Sequence, residues 1–121
     1  VDNRTPAEIQ SFIESNYPGA RIVDFDRERN GYEIDIIHDG KSKELWFDTQ
    51  YNWIQTATDM TRNIPADIRR AVEAHHPGKR IDDCDLIETA QGETYYLIDL
   101  DNYGMDLIVT LDGQITETPD Y

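Results

Sequence analysis

Two stretches of this 121-residue chain repeat each other at a fixed spacing. Thr5-Pro6-Ala7-Glu8-Ile9 and Tyr17-Pro18-Gly19-Ala20-Arg21-Ile22 return 59 residues later as Ile64-Pro65-Ala66-Asp67-Ile68 and His76-Pro77-Gly78-Lys79-Arg80-Ile81. An offset kept across both a helix start and a Pro-Gly exit marks a tandem duplication. The repeats span residues 1–60 and 61–121. Because about 60 residues alone make a marginal core, the two are expected to form one compact domain.

In the first repeat, Thr5, Pro6 and Glu8 read as an N-cap, a proline at the first helical position and the carboxylate of a capping box. Ile9, Phe12, Ile13 and Tyr17 share one helical face, and Pro18-Gly19 ends the helix. Beyond Arg21 the pattern is extended, with Asn30-Gly31 and Asp39-Gly40 as two-residue hairpin signals and strands expected over 32–36, 43–48 and 53–56. The second repeat follows the same order, with Ile68, Ala71, Val72 and His76 on the helix face. Its strands are expected over 80–88, 94–100, 105–111 and 114–118, with turns near Gln91-Gly92, Asn102-Gly104 and Asp112-Gly113. Residues 57–63 are the expected linker. The sequence therefore predicts an α+β fold: two tandem helix-plus-four-strand repeats forming one antiparallel sheet, with both helices packed on one face.

Strand side chains alternate between faces, which sorts the residues. Tyr32, Ile34, Ile36, Leu45 and Phe47 are expected under the first helix, and Tyr96, Ile98, Leu100, Leu107, Val109 and Leu111 under the second. The opposite face receives Glu33, Asp35, Ile37, Trp46, Tyr95, Leu97, Asp99, Ile108 and Thr110. Trp, Tyr and aliphatic groups among carboxylates are more than a solvated face needs and are typical of recognition surfaces. Trp46, Tyr95, Asp35, Asp99, Leu97, Ile108 and Glu33 are accordingly the candidate protein-binding residues.

Charge narrows the partners. Eleven basic residues stand against 25 acidic ones, a net charge of −14. The imbalance is present in both repeats and is not a tail. Such a chain lacks the Lys and Arg that neutralise phosphates, so neither nucleic acid nor an anionic membrane surface is expected as a partner. No run of 18 apolar residues is present, so no membrane insertion is expected. The sequence opens at Val1 in a polar segment, which suggests a mature form whose leader has been removed. Cys84 is the sole cysteine and matches Phe25 in the first repeat, so it reads as a buried small hydrophobe.

Chemical constellations are sparse. Asp99-Leu100-Asp101-Asn102-Tyr103-Gly104 begins like a calcium loop but has Tyr103 at the fifth position and Thr110 at the twelfth, where a bidentate Glu is needed. Asp82, Asp83 and Asp85 alternate faces along a strand and converge on an ion only if a bulge intervenes. His75 and His76 read as helix-end histidines and His38 lies by a turn. Neither a metal centre nor a cofactor nor a catalytic group is expected, and the chain is read as a non-enzyme. An acidic sensor of a small ligand or of cations such as calcium, using Asp82–Asp85 or Asp99–Asp106, is the alternative reading.

The residues also carry a resemblance. A capped helix, a Tyr/His-Pro-Gly-x-Arg-Ile exit, a Tyr-x-Ile strand and a closing Phe47-Asp48 with Asn52-Trp53 hairpin resemble the PepSY-like family. The second copy departs from it with His76 for the Tyr, Leu111-Asp112-Gly113 at the hairpin and Ile115 for the Trp. That family is similar in fold to the beta-lactamase inhibitory protein, which grips its enzyme with the sheet face opposite its helices. The resemblance implies a periplasmic or secreted protein without catalysis. It also implies a role in binding, and thereby inhibiting or regulating, a peptidase or other hydrolase of the bacterial envelope.

Overall fold

A computed structural model describes residues 4–119. The chain divides between Thr58 and Asp59 into two compact units. In the first, α1 (Ala7–Asn16) precedes β1 (Arg21–Glu28), β2 (Gly31–His38), β3 (Lys41–Phe47) and β4 (Trp53–Asp59). In the second, α2 (Ala66–His75) precedes β5 (Ile81–Thr89), β6 (Thr94–Leu100), β7 (Met105–Val109) and β8 (Ile115–Pro119). Within each unit successive strands pair antiparallel. The two helix-plus-four-strand repeats are thus present as the sequence predicts.

The duplication extends to backbone angles. Pro6 and Pro65 precede their helices at φ −56 and −57°, and Tyr17 and His76 close them at φ −133 and −132°. Tyr17 N–H donates to the Ile13 carbonyl at 2.7 Å, as His76 N–H does to Val72 at 2.9 Å. Even the irregularity in the first strand recurs, with register shifts at Ile22/Asp24 and at Ile81/Asp83.

Each unit has its own core. Ile9 and Ile13 of α1 pack on Phe25, Tyr32, Ile34, Ile36, Leu45 and Phe47. Ile68 and Val72 of α2 pack on Cys84, Tyr96, Ile98, Leu100, Leu107 and Val109. Alternation assigned these faces correctly at every position but one. Leu111 is 54 % exposed, because β7 ends at Val109 and Leu111 lies in the following hairpin loop. Cys84 is fully buried, and that burial pushes its thiol up to about 12.

Three further expectations are corrected. The capping box does not form: Pro6 takes an extended ψ of 146°, so α1 starts at Ala7 with no side-chain cap, and Thr5 is buried instead. The linker is shorter than expected, because β4 continues through Ala57 to Asp59. The Asn30-Gly31 signal does mark a two-residue hairpin, but one residue late: Arg29 and Asn30 form the turn, and Gly31 is already paired with Glu28 as the first residue of β2. By contrast Asp39-Gly40 has both φ angles positive, 52 and 75°, the geometry of a tight two-residue hairpin.

One loop position shows strain. Thr110 N–H bonds to the Gln114 carbonyl and Asp48 N–H to the Asn52 carbonyl, closing equivalent three-residue loops. The last loop residue is Gly113 at φ 91° in the second unit and Tyr51 at φ 68° in the first. A bulky side chain rarely takes this conformation. The Tyr51 ring compensates by packing 5.3 Å from Tyr32.

Candidate functional site

In each unit the helix covers one face of the four strands, and the other face is where the sequence places recognition. In the first unit Trp46 of β3 lies between Glu33 of β2 and Gln55 of β4 in the cross-strand register. Asp35 pairs with Glu44 one step along the same face. All of these are half-buried. Trp46 Nε1 donates to Glu44 Oε1 at 2.9 Å, which fixes the indole along the sheet. Glu44 was not singled out from sequence. Its signal was its place two residues before Trp46, which puts both on one side of the strand.

Crowded carboxylates alter each other's acidity. Partial burial, then the charges of Glu44 and Asp35 and a hydrogen bond shared with Glu44, push Glu33 up to about 7. Asp35 is raised in the same direction, by burial first and then by Glu44. A carboxyl whose folded pKa lies above its unfolded value of 4.5 favours the folded state less as pH rises between the two. Stability is therefore expected to decline from about pH 5 to pH 8. The difference from 4.5 to about 7 corresponds to roughly 3.5 kcal/mol at about 1.4 kcal/mol per pH unit, and solvent screening of this half-buried group reduces it to about 1 kcal/mol. Urea titrations at the two pH values should show that decline, and Glu33→Gln should abolish most of it. An unchanged slope in Glu33→Gln would show that Glu33 does not carry the effect.

In the second unit the same face is more apolar. Leu97 of β6 pairs with Ile108 of β7, and Tyr95 pairs with Ile87 of β5. Asp99 follows along β6, opposite Asp83 and Asp106. Tyr95, Leu97, Asp99 and Ile108 are half-buried. Thr110, also assigned to this face, is exposed beyond the end of β7.

The acidic segments behave as local structure. The Ile81/Asp83 shift supplies the bulge that convergence required, yet it brings together Asp83, Asp85 and Asp59, and turns Asp82 towards Arg80 at 3.1 Å. The Thr61 hydroxyl lies 2.7 Å from Asp59 Oδ1 and 3.0 Å from Asp83 Oδ1, so the group is bridged from within the chain. Asp99 and Leu100 belong to β6, and Asp101 and Asn102 form a turn, so the calcium-loop reading of 99–104 is a hairpin. His75 and His76 are not isolated helix-end groups, since both meet Glu117 of β8.

With this geometry in hand, comparison with known proteins adds the following. The profile of a family described as "Putative beta-lactamase-inhibitor-like, PepSY-like" matches residues 2–41 and again 36–117. A crystal structure of a BLIP-like protein from Bacteroides fragilis is 23 % identical, with a TM-score of 0.79 over 94 % of this chain and 85 % of that one. A DUF2874 family protein from Bacteroides uniformis is 21 % identical, with a TM-score of 0.77 over 92 % of this chain and 86 % of its own. A protein from Bacteroides eggerthii named among "putative periplasmic proteins" is 18 % identical, with a TM-score of 0.77 over 95 % and 88 %. These likenesses establish the fold. No curated protein matches the sequence. Among the described residues no helix is long and apolar enough to cross a membrane.

Proposed function

The chain belongs to the PepSY-like, beta-lactamase-inhibitor-like family, and from that premise we propose that it is a non-catalytic binding module of the bacterial periplasm. It uses the helix-free sheet faces to hold a hydrolase of the envelope, a peptidase being the first candidate, and so inhibits or regulates it. The observation that supports this most is the composition of those faces. Trp46 in the first unit and Tyr95, Leu97 and Ile108 in the second are half-exposed on faces opposite their helices. In each unit apolar groups lie among carboxylates, Trp46 with Glu33 and Asp35 in the first and Leu97 and Ile108 with Asp99 and Asp106 in the second, which suits a partner surface that is apolar with basic groups nearby.

The binding residues proposed are Trp46, Glu33 and Asp35 in the first unit and Tyr95, Leu97, Asp99 and Ile108 in the second. Trp46 is the expected anchor, because a tryptophan held by its own hydrogen bond loses little freedom on binding. Affinity capture from a periplasmic extract tests the reading, with the wild-type chain, Trp46→Ala and Leu111→Ser as baits. Leu111 is exposed in the hairpin loop between β7 and β8, outside the paired strands, and serves as the control. One protein retained by the wild type and by Leu111→Ser, and bound roughly 30-fold more weakly by Trp46→Ala, is the expected outcome. Equal retention by all three baits would remove the sheet face from the account.

A further inference from the structure

The duplication isolates one junction at which the two units differ in chemistry. At the exit of α1 the Tyr17 hydroxyl and Thr56 Oγ1 lie 2.8 Å apart, and the Tyr17 ring meets His38 edge-on at 5.4 Å. At the exit of α2, His76 stands in place of Tyr17 and His75 in place of Asn16. Glu117 stands in place of Thr56, since it pairs with Leu107 as Thr56 pairs with Leu45. His75 Nε2 and His76 Nε2 lie 2.7 and 3.0 Å from the same oxygen, Glu117 Oε2. The Tyr103 hydroxyl donates to the other, Oε1.

We propose that His75, His76 and Glu117 form a binding site for a divalent cation of the zinc class. Two imidazole nitrogens with one carboxylate suit Zn2+, Ni2+ or Cu2+, whereas Ca2+ and Mg2+ favour all-oxygen shells. The three donor atoms all lie within 4.8 Å of one another. A tetrahedral ion with bonds near 2.0–2.2 Å needs donor separations of about 3.3 Å. The contacts at 2.7 and 3.0 Å must open by roughly half an ångström to reach that, within the reach of side-chain rotation at the exposed His75. His75 is exposed, which leaves a side open for water as a fourth ligand.

Support comes from the surroundings. Tyr103 orients the carboxylate through Oε1 and packs its ring 4.6 Å from His76, the kind of outer-shell contact that holds metal ligands in place. The fold itself does not require this cluster, because the first unit completes the same junction with a neutral Tyr17–Thr56 pair.

Calorimetric titration of the tag-free chain with zinc chloride, with magnesium chloride as control, tests the site. One saturable zinc site and no response to magnesium are expected. His76→Tyr and Glu117→Thr introduce the residues of the first repeat and should lower zinc affinity at least about 100-fold, while Tyr103→Phe lowers it about tenfold. Circular dichroism in EDTA establishes that each variant is folded. If both ligand variants unfold, His75→Asn at the exposed position decides, and a loss of at least about tenfold supports the site. Absence of saturable zinc binding by the folded wild type, or undiminished affinity in a folded ligand variant, overturns it.

Discussion

Gly31→Ala is expected to destabilise the first unit by about 4 kcal/mol or more, the range reached when a side chain is forced into a site that has no room for it. A Cβ built on Gly31 falls 1.9 Å from the Phe47 carbonyl oxygen and 3.0 Å from Asp48 Cα, and the residue sits at φ 153°. The obstruction is backbone, so no side-chain rotation relieves it. Relief requires β2 and β3 to separate where Tyr32 pairs with Phe47, and both of those residues are in the core. Gly19 and Gly40 supply the control. They also have positive φ but nothing within 4 Å of a built Cβ, so Gly19→Ala and Gly40→Ala should cost only about 1–2 kcal/mol. Urea denaturation followed by tryptophan fluorescence measures all three. A Gly31→Ala protein within 1 kcal/mol of wild type, as an order of magnitude, would contradict the strand approach described here.

Phe47→Ala is expected to cost about 3–5 kcal/mol, whereas its neighbour Trp46→Ala should cost about 1 kcal/mol or less. Phe47 is 1 % exposed and meets Phe12 of α1 edge-on at 5.3 Å. Truncation leaves a cavity between helix and sheet that the paired strands cannot close. Trp46 points the other way, half-exposed, with Glu44 as its hydrogen-bond partner. Two adjacent aromatic residues with opposite sensitivities are the thermodynamic signature of this strand register. Denaturant midpoints for the two variants measure it. Equal and large losses would mean that both faces of β3 are core, and the proposed binding face would be lost with them.

Much of this was legible because alternation and duplication are local signals. Ile34, Ile36 and Leu45 declare their face by period two, and Pro18-Gly19 with Pro77-Gly78 mark both helix ends. The errors arose where a residue's role depends on a distant partner. Asn30-Gly31 carries a turn signature, yet Gly31 is demanded by the Phe47 carbonyl across the sheet. Thr5 has the chemistry of a cap, but the extended Pro6 moves the helix start beyond its reach. Leu111 fits the alternation of β7, which ends two residues earlier. His75 and His76 meet Glu117 across 42 and 41 residues, a contact that only the pairing of β8 with β7 creates. The signal available was Glu117 itself, an acid at the repeat position of the core-facing Thr56.

The candidate site was legible in composition and not in detail. Trp46, Tyr95, Leu97 and Ile108 could be placed by parity, but the Trp46–Glu44 bond and the elevated acidity of Glu33 depend on cross-strand register. The binding role rests on that face, and it can be probed directly in a complex. The measurement is hydroxyl-radical footprinting of the chain bound to its captured periplasmic partner, read residue by residue by mass spectrometry. The account predicts that oxidation of Trp46, Tyr95 and Leu97 falls several-fold on binding, while Tyr17 and Phe12 on the helix side of the first unit react as in the free chain. Protection of Phe12 and Tyr17 with Trp46 and Tyr95 unchanged would contradict it.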